Sequence, residues 1–347
     1  MGIVCGKLMT DPLNRSIHPI STVDGYCGLY GQSEDAVVVS VPRHDAWVHS
    51  SNDINKNKSL ELNPYSQDKS YVHFGDRENR ALFVPKSKDG PAHWGRTYPQ
   101  ALGQKQSPVD IVRAQVQLDT VLLKRPLKYN YQGVSTKSIA NGGFGWRVDV
   151  ESENHNLEGG PLNHRFRLVQ FHSHWGETGC NGSEHTVDGE AFSGELHLVH
   201  CNIDLYNDPG KAACSENGLA VVGIFLKEGG SHPEFEKLCK LLTCIKYKGC
   251  KYEGISDFDI CAFLPKDVEN YWTYEGSLTT PPCYESVSWI VLKQPIEVSK
   301  DQFDAFRSLV TYSEDENDIT IMDGPVTKNW RNCQPLENRV IREPPTQ

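Results

Sequence analysis

Residues 170–176 read QFHSHWG and residues 194–201 read GELHLVHC. Two imidazoles stand two residues apart in the first run, and in the second a histidine follows a glutamate at the same spacing. On an extended strand, residues i and i+2 face the same way. Leu168, Gln170, His172 and His174 therefore share one face, with Val169, Phe171, Ser173 and Trp175 on the other. In the second run Glu195, His197, Val199 and Cys201 share a face, with Leu196, Leu198 and His200 opposite. If the two strands pair, His172, His174 and His197 converge on one patch. Three neutral imidazoles suit Zn2+ in a tetrahedral site whose fourth position is left for water. Metal-bound histidines donate their second ring N–H to an acceptor, and Gln170 and Glu195 each lie two residues before a candidate ligand. A buried Glu195 needs a partner of its own. Spacing alone is a weak signal, because an HxH pair on a strand is more often simply packed or half-exposed. His93, His185, His200 and His232 are read as structural or surface histidines.

The elements that must position these residues are strands. Runs rich in β-branched and aromatic residues recur at FRLVQFHSHW (166–175), GELHLVHC (194–201), LAVVGIFL (219–226) and VSWIVL (287–292), separated by GG, NG, DG, PG and PP turns. Helical patterns are few and short, at HPEFEKLCKLLTCI (232–245) and at SKDQFDAFRSLV (299–310), the second opening on a good N-cap, Ser299. The expected fold is α+β but mostly β: a large, twisted, mainly antiparallel sheet with short peripheral helices. Residues 1–72 are rich in Asn, Asp, Ser and Lys, with one short apolar run, AVVVSV (36–41), and read as a polar, flexible extension. The folded domain is expected over 73–345.

Composition narrows the function classes. A chain of 347 residues with 38% hydrophobic residues can bury a sizeable core. A net charge of −10 with no long Lys/Arg run argues against a nucleic-acid surface. None of the 11 cysteines forms a CxxC pair, and their odd number and irregular spacing fit reduced thiols in the cytoplasm better than a disulfide framework. No eighteen apolar residues run together, so no membrane span is expected. Gly2 and Cys5 offer an alternative, membrane association through N-terminal acylation, although Gly6 stands where the acylation motif has Ser or Thr. There is no GxSxG nucleophile elbow, and SEDEND (313–318) is a short solvated acidic loop rather than a calcium-binding repeat.

Longer motifs carry a resemblance. SEHTVDGEAFSGELHLV (183–199) resembles the signature of the α-class carbonic anhydrases position by position. GPAHWG (90–95), QSPVDI (106–111), GGPL (159–162), QFHSHWG, GLAVVGIFLK (218–227), YWTYEGSLTTPPCYESVSWIVLK (271–293) and NWRNCQPLENR (329–339) resemble that family's landmarks in their usual order. The resemblance covers roughly residues 85–342. It implies a lyase, a carbonic anhydrase that hydrates carbon dioxide reversibly to bicarbonate and a proton and serves pH homeostasis. His172, His174 and His197 would ligate zinc, which makes its bound water acidic near neutrality, as it does in the carbonic anhydrases themselves. The resulting zinc-bound hydroxide would attack carbon dioxide. Thr279 would accept a hydrogen bond from that hydroxide and donate one to Glu184, and Thr280 would line the bicarbonate and inhibitor position. Val199, Val221, Leu278, Val287 and Trp289 match the apolar niche for carbon dioxide. Sulfonamide and anion inhibition and a monomeric state are also implied.

The sequence departs from the family at three points. Where fast members carry a histidine proton shuttle after Asn-Gly, this chain reads Asn141-Gly142-Gly143-Phe144-Gly145-Trp146, so turnover limited by proton removal is expected. The family's HWGY-like start has His73-Phe74-Gly75 as its nearest counterpart, leaving its water-ordering tyrosine unassigned. Cys283 stands where secreted members keep one disulfide cysteine, but the usual partner position is Ala101. The alternative reading is a non-catalytic carbonic anhydrase-related binding protein. Such proteins lose zinc histidines, and this chain keeps all three.

Overall fold

Alternating β-branched and aromatic residues become, among the described residues, a twelve-stranded sheet. A computed structural model describes residues 90–154, 156–317 and 324–345. The extension read over 1–72, its AVVVSV run, Gly2, Cys5 and the His73-Phe74-Gly75 segment lie outside them. The strands that matter here are β1 (Gln117–Leu118), β2 (Ser135–Asn141), β3 (Trp146–Glu151), β4 (Phe166–Trp175), β5 (Gly194–Asn202), β6 (Leu219–Glu228), β7 (Lys251–Glu253), β8 (Tyr271–Gly276), β9 (Val287–Val298) and β10 (Arg342–Glu343). Across the sheet they run β7-β2-β3-β4-β5-β6-β9-β8-β10-β1. Most neighbours are antiparallel, while β6 with β9 and β10 with β1 are parallel. The four strand runs read from the sequence are β4, β5, β6 and β9.

Each face of the sheet has its own core. One holds Phe166, Leu168, Phe171, Trp175, Leu196, Leu198 and Ile224 and is closed by two helices, α1 (Pro233–Leu242) and α2 (Lys300–Arg307). Ser299 starts α2 through a capping box: its hydroxyl accepts from Gln302 N while the Gln302 side chain accepts from Ser299 N at 3.0 Å. Phe303 and Phe306, three residues apart, then face the sheet. The Phe306 ring lies 5.5 Å from both Trp146 and Phe235. The 232–245 pattern is helical to Leu242 and tightens into a 3-10 turn at Thr243–Ile245. The other face gathers Val199, Cys201, Val221, Val287, Trp289 and Val291.

One strand-parity expectation is corrected. The register of β4 against β5 shifts between Leu168 and Gln170, so Leu168 pairs with His200 and Gln170 with Val199. The extra residue in this bulge turns Leu168 into the core with Phe171, whereas Val169 packs with Val199 and Val221 on the opposite face. Beyond the bulge the expected alternation holds. None of the helices among the described residues is long and apolar enough to cross a membrane. The nine described cysteines are all free.

Candidate metal centre

Register brings the histidines together. His172 pairs with His197 across β4 and β5, and His174 pairs with Glu195. On the next strand, β6, Gly223 stands opposite His197. A Cβ at Gly223 would lie 3.0 Å from Glu195 Oε1 and 3.7 Å from the Trp289 ring, so the bare backbone leaves room for both side chains. The ring centroids of His172, His174 and His197 lie 4.7–5.2 Å apart. One ring nitrogen from each falls within 4.8 Å of the others.

The second nitrogen of each ring is occupied. His172 Nδ1 meets Gln170 Oε1 at 2.8 Å, His174 Nδ1 meets the Asn329 carbonyl at 2.6 Å, and His197 Nε2 meets Glu195 Oε1 at 2.9 Å. Each partner is an acceptor, so each of those nitrogens carries the hydrogen. The lone pairs are left on Nε2 of His172, Nε2 of His174 and Nδ1 of His197. Burial, followed by the charges of neighbouring rings, holds His172 well below the ordinary imidazole range and His174 at about 3. Burial also lowers His197, against the pull of Glu195. Three neutral imidazoles with lone pairs converging on one point are a donor set that fits Zn2+.

Glu195 is the hub behind them. Its Oε2 accepts from the backbone N of Glu184 at 3.0 Å and of His185 at 2.9 Å, and its Oε1 accepts from His185 Nδ1 at 2.8 Å as well as from His197. Burial disfavours the anion, but coupling with His185 and the hydrogen bonds from both rings outweigh it and hold this carboxyl well below the usual range. His185, Glu195 and His197 also lie close enough to bracket an ion. Because Glu195 already accepts four N–H groups, that cluster is a positioning network and not a second metal site. His185 is fully buried, so of the two readings open to it the structural one holds, and its Nε2 lies 2.6 Å from the Tyr274 hydroxyl.

Glu184 is buried beside the cluster, its Oε2 3.3 Å from His174 Nε2. Its Oε1 accepts from Arg331 N at 2.9 Å, and the Thr279 hydroxyl is a hydrogen-bond partner of the same carboxylate. Burial pushes this carboxyl well above its ordinary range, against the pull of Thr279 and Arg331. Thr279 itself is buried, while Thr280 is half-buried in the following turn, its carbonyl accepting from Cys283 N.

The apolar residues named from the sequence form one group. Val199 pairs with Val221 and Val221 with Trp289, while Val287 lies opposite Leu219. Leu278 packs against the same cluster. The Trp289 ring lies 4.9 Å from that of His197, so this wall reaches the metal centre. Asn329, whose carbonyl orients His174, was missed by sequence reasoning; no local spacing signals a backbone acceptor from a distant segment. Arg331 was missed too, although it stands in the NWRNCQPLENR landmark.

Comparisons with known proteins agree with this architecture. The family model described as eukaryotic-type carbonic anhydrase matches residues 89–344. Carbonic anhydrase 7 of Homo sapiens is 44% identical over 256 residues, covering 73% of this chain and 94% of that protein. Carbonic anhydrase 7 of Mus musculus is 43% identical over the same length, with the same coverage. A match across the whole described sheet, together with identity at this level, means that the chain belongs to the α-class, eukaryotic-type carbonic anhydrase family.

Proposed function

We propose that this chain catalyses the reversible hydration of carbon dioxide to bicarbonate at a zinc ion held by His172, His174 and His197. The observation that carries the reading is the convergence of three neutral imidazoles whose outer nitrogens are each fixed by an acceptor. A zinc ion bound there supplies Lewis acidity that makes water nucleophilic near neutral pH.

The side chains do the rest. Gln170, Glu195 and the Asn329 carbonyl hold the three rings in the ligating tautomer. Glu184 accepts a hydrogen bond from the Thr279 hydroxyl, and Arg331, which donates its backbone N–H to the same carboxylate, pulls it toward the anion against the effect of burial. Thr279 is then left only lone pairs toward the site, so it fixes the orientation of a donor there. Val199, Val221, Leu278, Val287 and Trp289 offer carbon dioxide an apolar wall, which suits a substrate without a dipole. Thr280 lines the bicarbonate position. The Gly142–Gly145 loop between β2 and β3 carries no side chain that titrates near neutrality, so protons leave directly to solvent buffer.

The catalytic domain occupies 73–345, consistent with the family match over 89–344, and is preceded by the polar extension 1–72. The odd number and irregular spacing of the cysteines support a reducing, cytoplasmic setting. The test is stopped-flow carbon dioxide hydration by the zinc-loaded full chain and by His197→Ala. Rapid hydration that a sulfonamide blocks and the variant lacks is the expected result. Equal rates in the two proteins, or no hydration by a parent shown to hold zinc, would refute the proposal.

A further inference from the structure

Arg147 stands opposite His172 across β3 and β4, and Asp149 stands opposite Gln170. Neither has a role in the reading above. Directly paired antiparallel residues share a face, with Cβ atoms roughly 4.5–5.5 Å apart, so the guanidinium rises from the same wall as a metal-ligating ring.

The two side chains form a salt bridge that leaves part of the guanidinium fork unused. Arg147 Nη2 donates to Asp149 Oδ2 at 3.2 Å, while Nε sits 2.9 Å from Oδ1 without hydrogen-bond alignment. Nη1 takes no partner among the described residues, and Asp149 divides its acceptors with a long bond from Ser138 Oγ at 3.4 Å. The side chains are 37% and 22% exposed, so a ligand in the site can reach the guanidinium and compete with the carboxylate. A planar fork with unused donors is suited to a carboxylate or another flat oxyanion.

We propose that Arg147 makes this wall of the metal centre selective for ligands that carry a second, anionic group beyond the one bound at the metal, and that Asp149 holds that preference in check. The inference rests on the zinc reading given above.

The probes are 4-sulfamoylbenzoate and its neutral isostere 4-sulfamoylbenzamide, titrated by calorimetry into the zinc-loaded full chain at low salt. The parent is expected to bind the carboxylate about fivefold tighter than the amide, the upper range for a partly exposed ion pair. Arg147→Lys keeps most of that ratio, and Asp149→Asn enlarges it. The double variant Arg147→Gln/Asp149→Asn, which leaves an uncharged wall, loses the ratio while its affinity for the amide is unchanged. A ratio near one in the parent, or a ratio that survives in the double variant, would overturn the selectivity while leaving the zinc site intact. Failure of the parent to bind either sulfonamide would overturn the zinc reading and this inference with it.

Discussion

Glu195→Gln changes one oxygen to an amide nitrogen and removes one charge without altering shape. The two sides of the carboxylate are unequal. Oε2 faces the backbone N–H groups of Glu184 and His185, which cannot change character. Oε1 faces two rings that can, His185 Nδ1 at 2.8 Å and His197 Nε2 at 2.9 Å. The amide therefore turns its nitrogen toward the rings, and both answer by moving their hydrogen to the other nitrogen. His185 tolerates this, because its Nε2 then donates to the Tyr274 hydroxyl 2.6 Å away. His197 does not, because the hydrogen arrives on Nδ1, the atom whose lone pair the metal requires. Restoring the ligating tautomer sets two N–H groups against each other in a fully buried position, at about 1.5–3 kcal/mol, or roughly 10- to 100-fold in zinc affinity. Competition for zinc against a chelator at neutral pH measures this directly, with the melting temperatures of the metal-free proteins as the control for folding. Zinc affinity within about twofold of the parent would refute the assignment of Glu195 as the tautomer lock on His197.

What was legible in the sequence followed from period-two alternation. His172, His174, Glu195 and His197 break otherwise apolar strands at even spacing, and that parity survives in the sheet because β4 and β5 pair with His172 opposite His197. The same counting failed at Leu168, since parity is blind to a bulge and the extra residue at Val169 reverses every face before it. Glu195 required a buried partner, and the partner, His185, lay ten residues back, yet nothing local distinguished it from a surface histidine. Thr279 and Glu184 came from motif resemblance, because a hydrogen bond between side chains this far apart in sequence leaves no spacing to read. Asn329 acts through its carbonyl, which every residue possesses. Arg147 became visible only with the β3–β4 register, which no pattern within β3 encodes.

Three further outcomes are expected. Gly223→Ala pushes a methyl group against Glu195 Oε1 at 3.0 Å in mid-sheet, so both the melting temperature and zinc affinity fall, the former by the equivalent of about 1–3 kcal/mol; unchanged zinc affinity would separate Gly223 from the site. His200 is fully buried, with its pKa pushed down to about 4 by burial against hydrogen bonds to the Ala220 and Leu198 carbonyls. The unfolded chain takes up this proton near 6.5 and the folded chain only near 4, so the ring's contribution is complete above pH 6.5 and lost as pH falls to 4, by about 3 kcal/mol. Urea denaturation across that span should show a smaller loss in His200→Gln, and parallel curves would refute the assignment. The last prediction concerns the proton. Hydration by the parent should climb with imidazole concentration, and a histidine placed in the 142–145 loop should raise the low-buffer rate roughly tenfold, within the usual reach of a positioned acid–base group. Gly143 and Gly145 cannot take it: both have positive φ, and a Cβ would lie 2.8 Å from Lys248 Cδ at the first and 2.8 Å from Asn329 Nδ2 at the second. Phe144 already carries a half-buried ring, so Phe144→His is the variant that tests the idea without forcing the backbone. If the parent is already indifferent to imidazole, some other group on this chain moves the proton, and the glycine-rich loop is not what limits turnover.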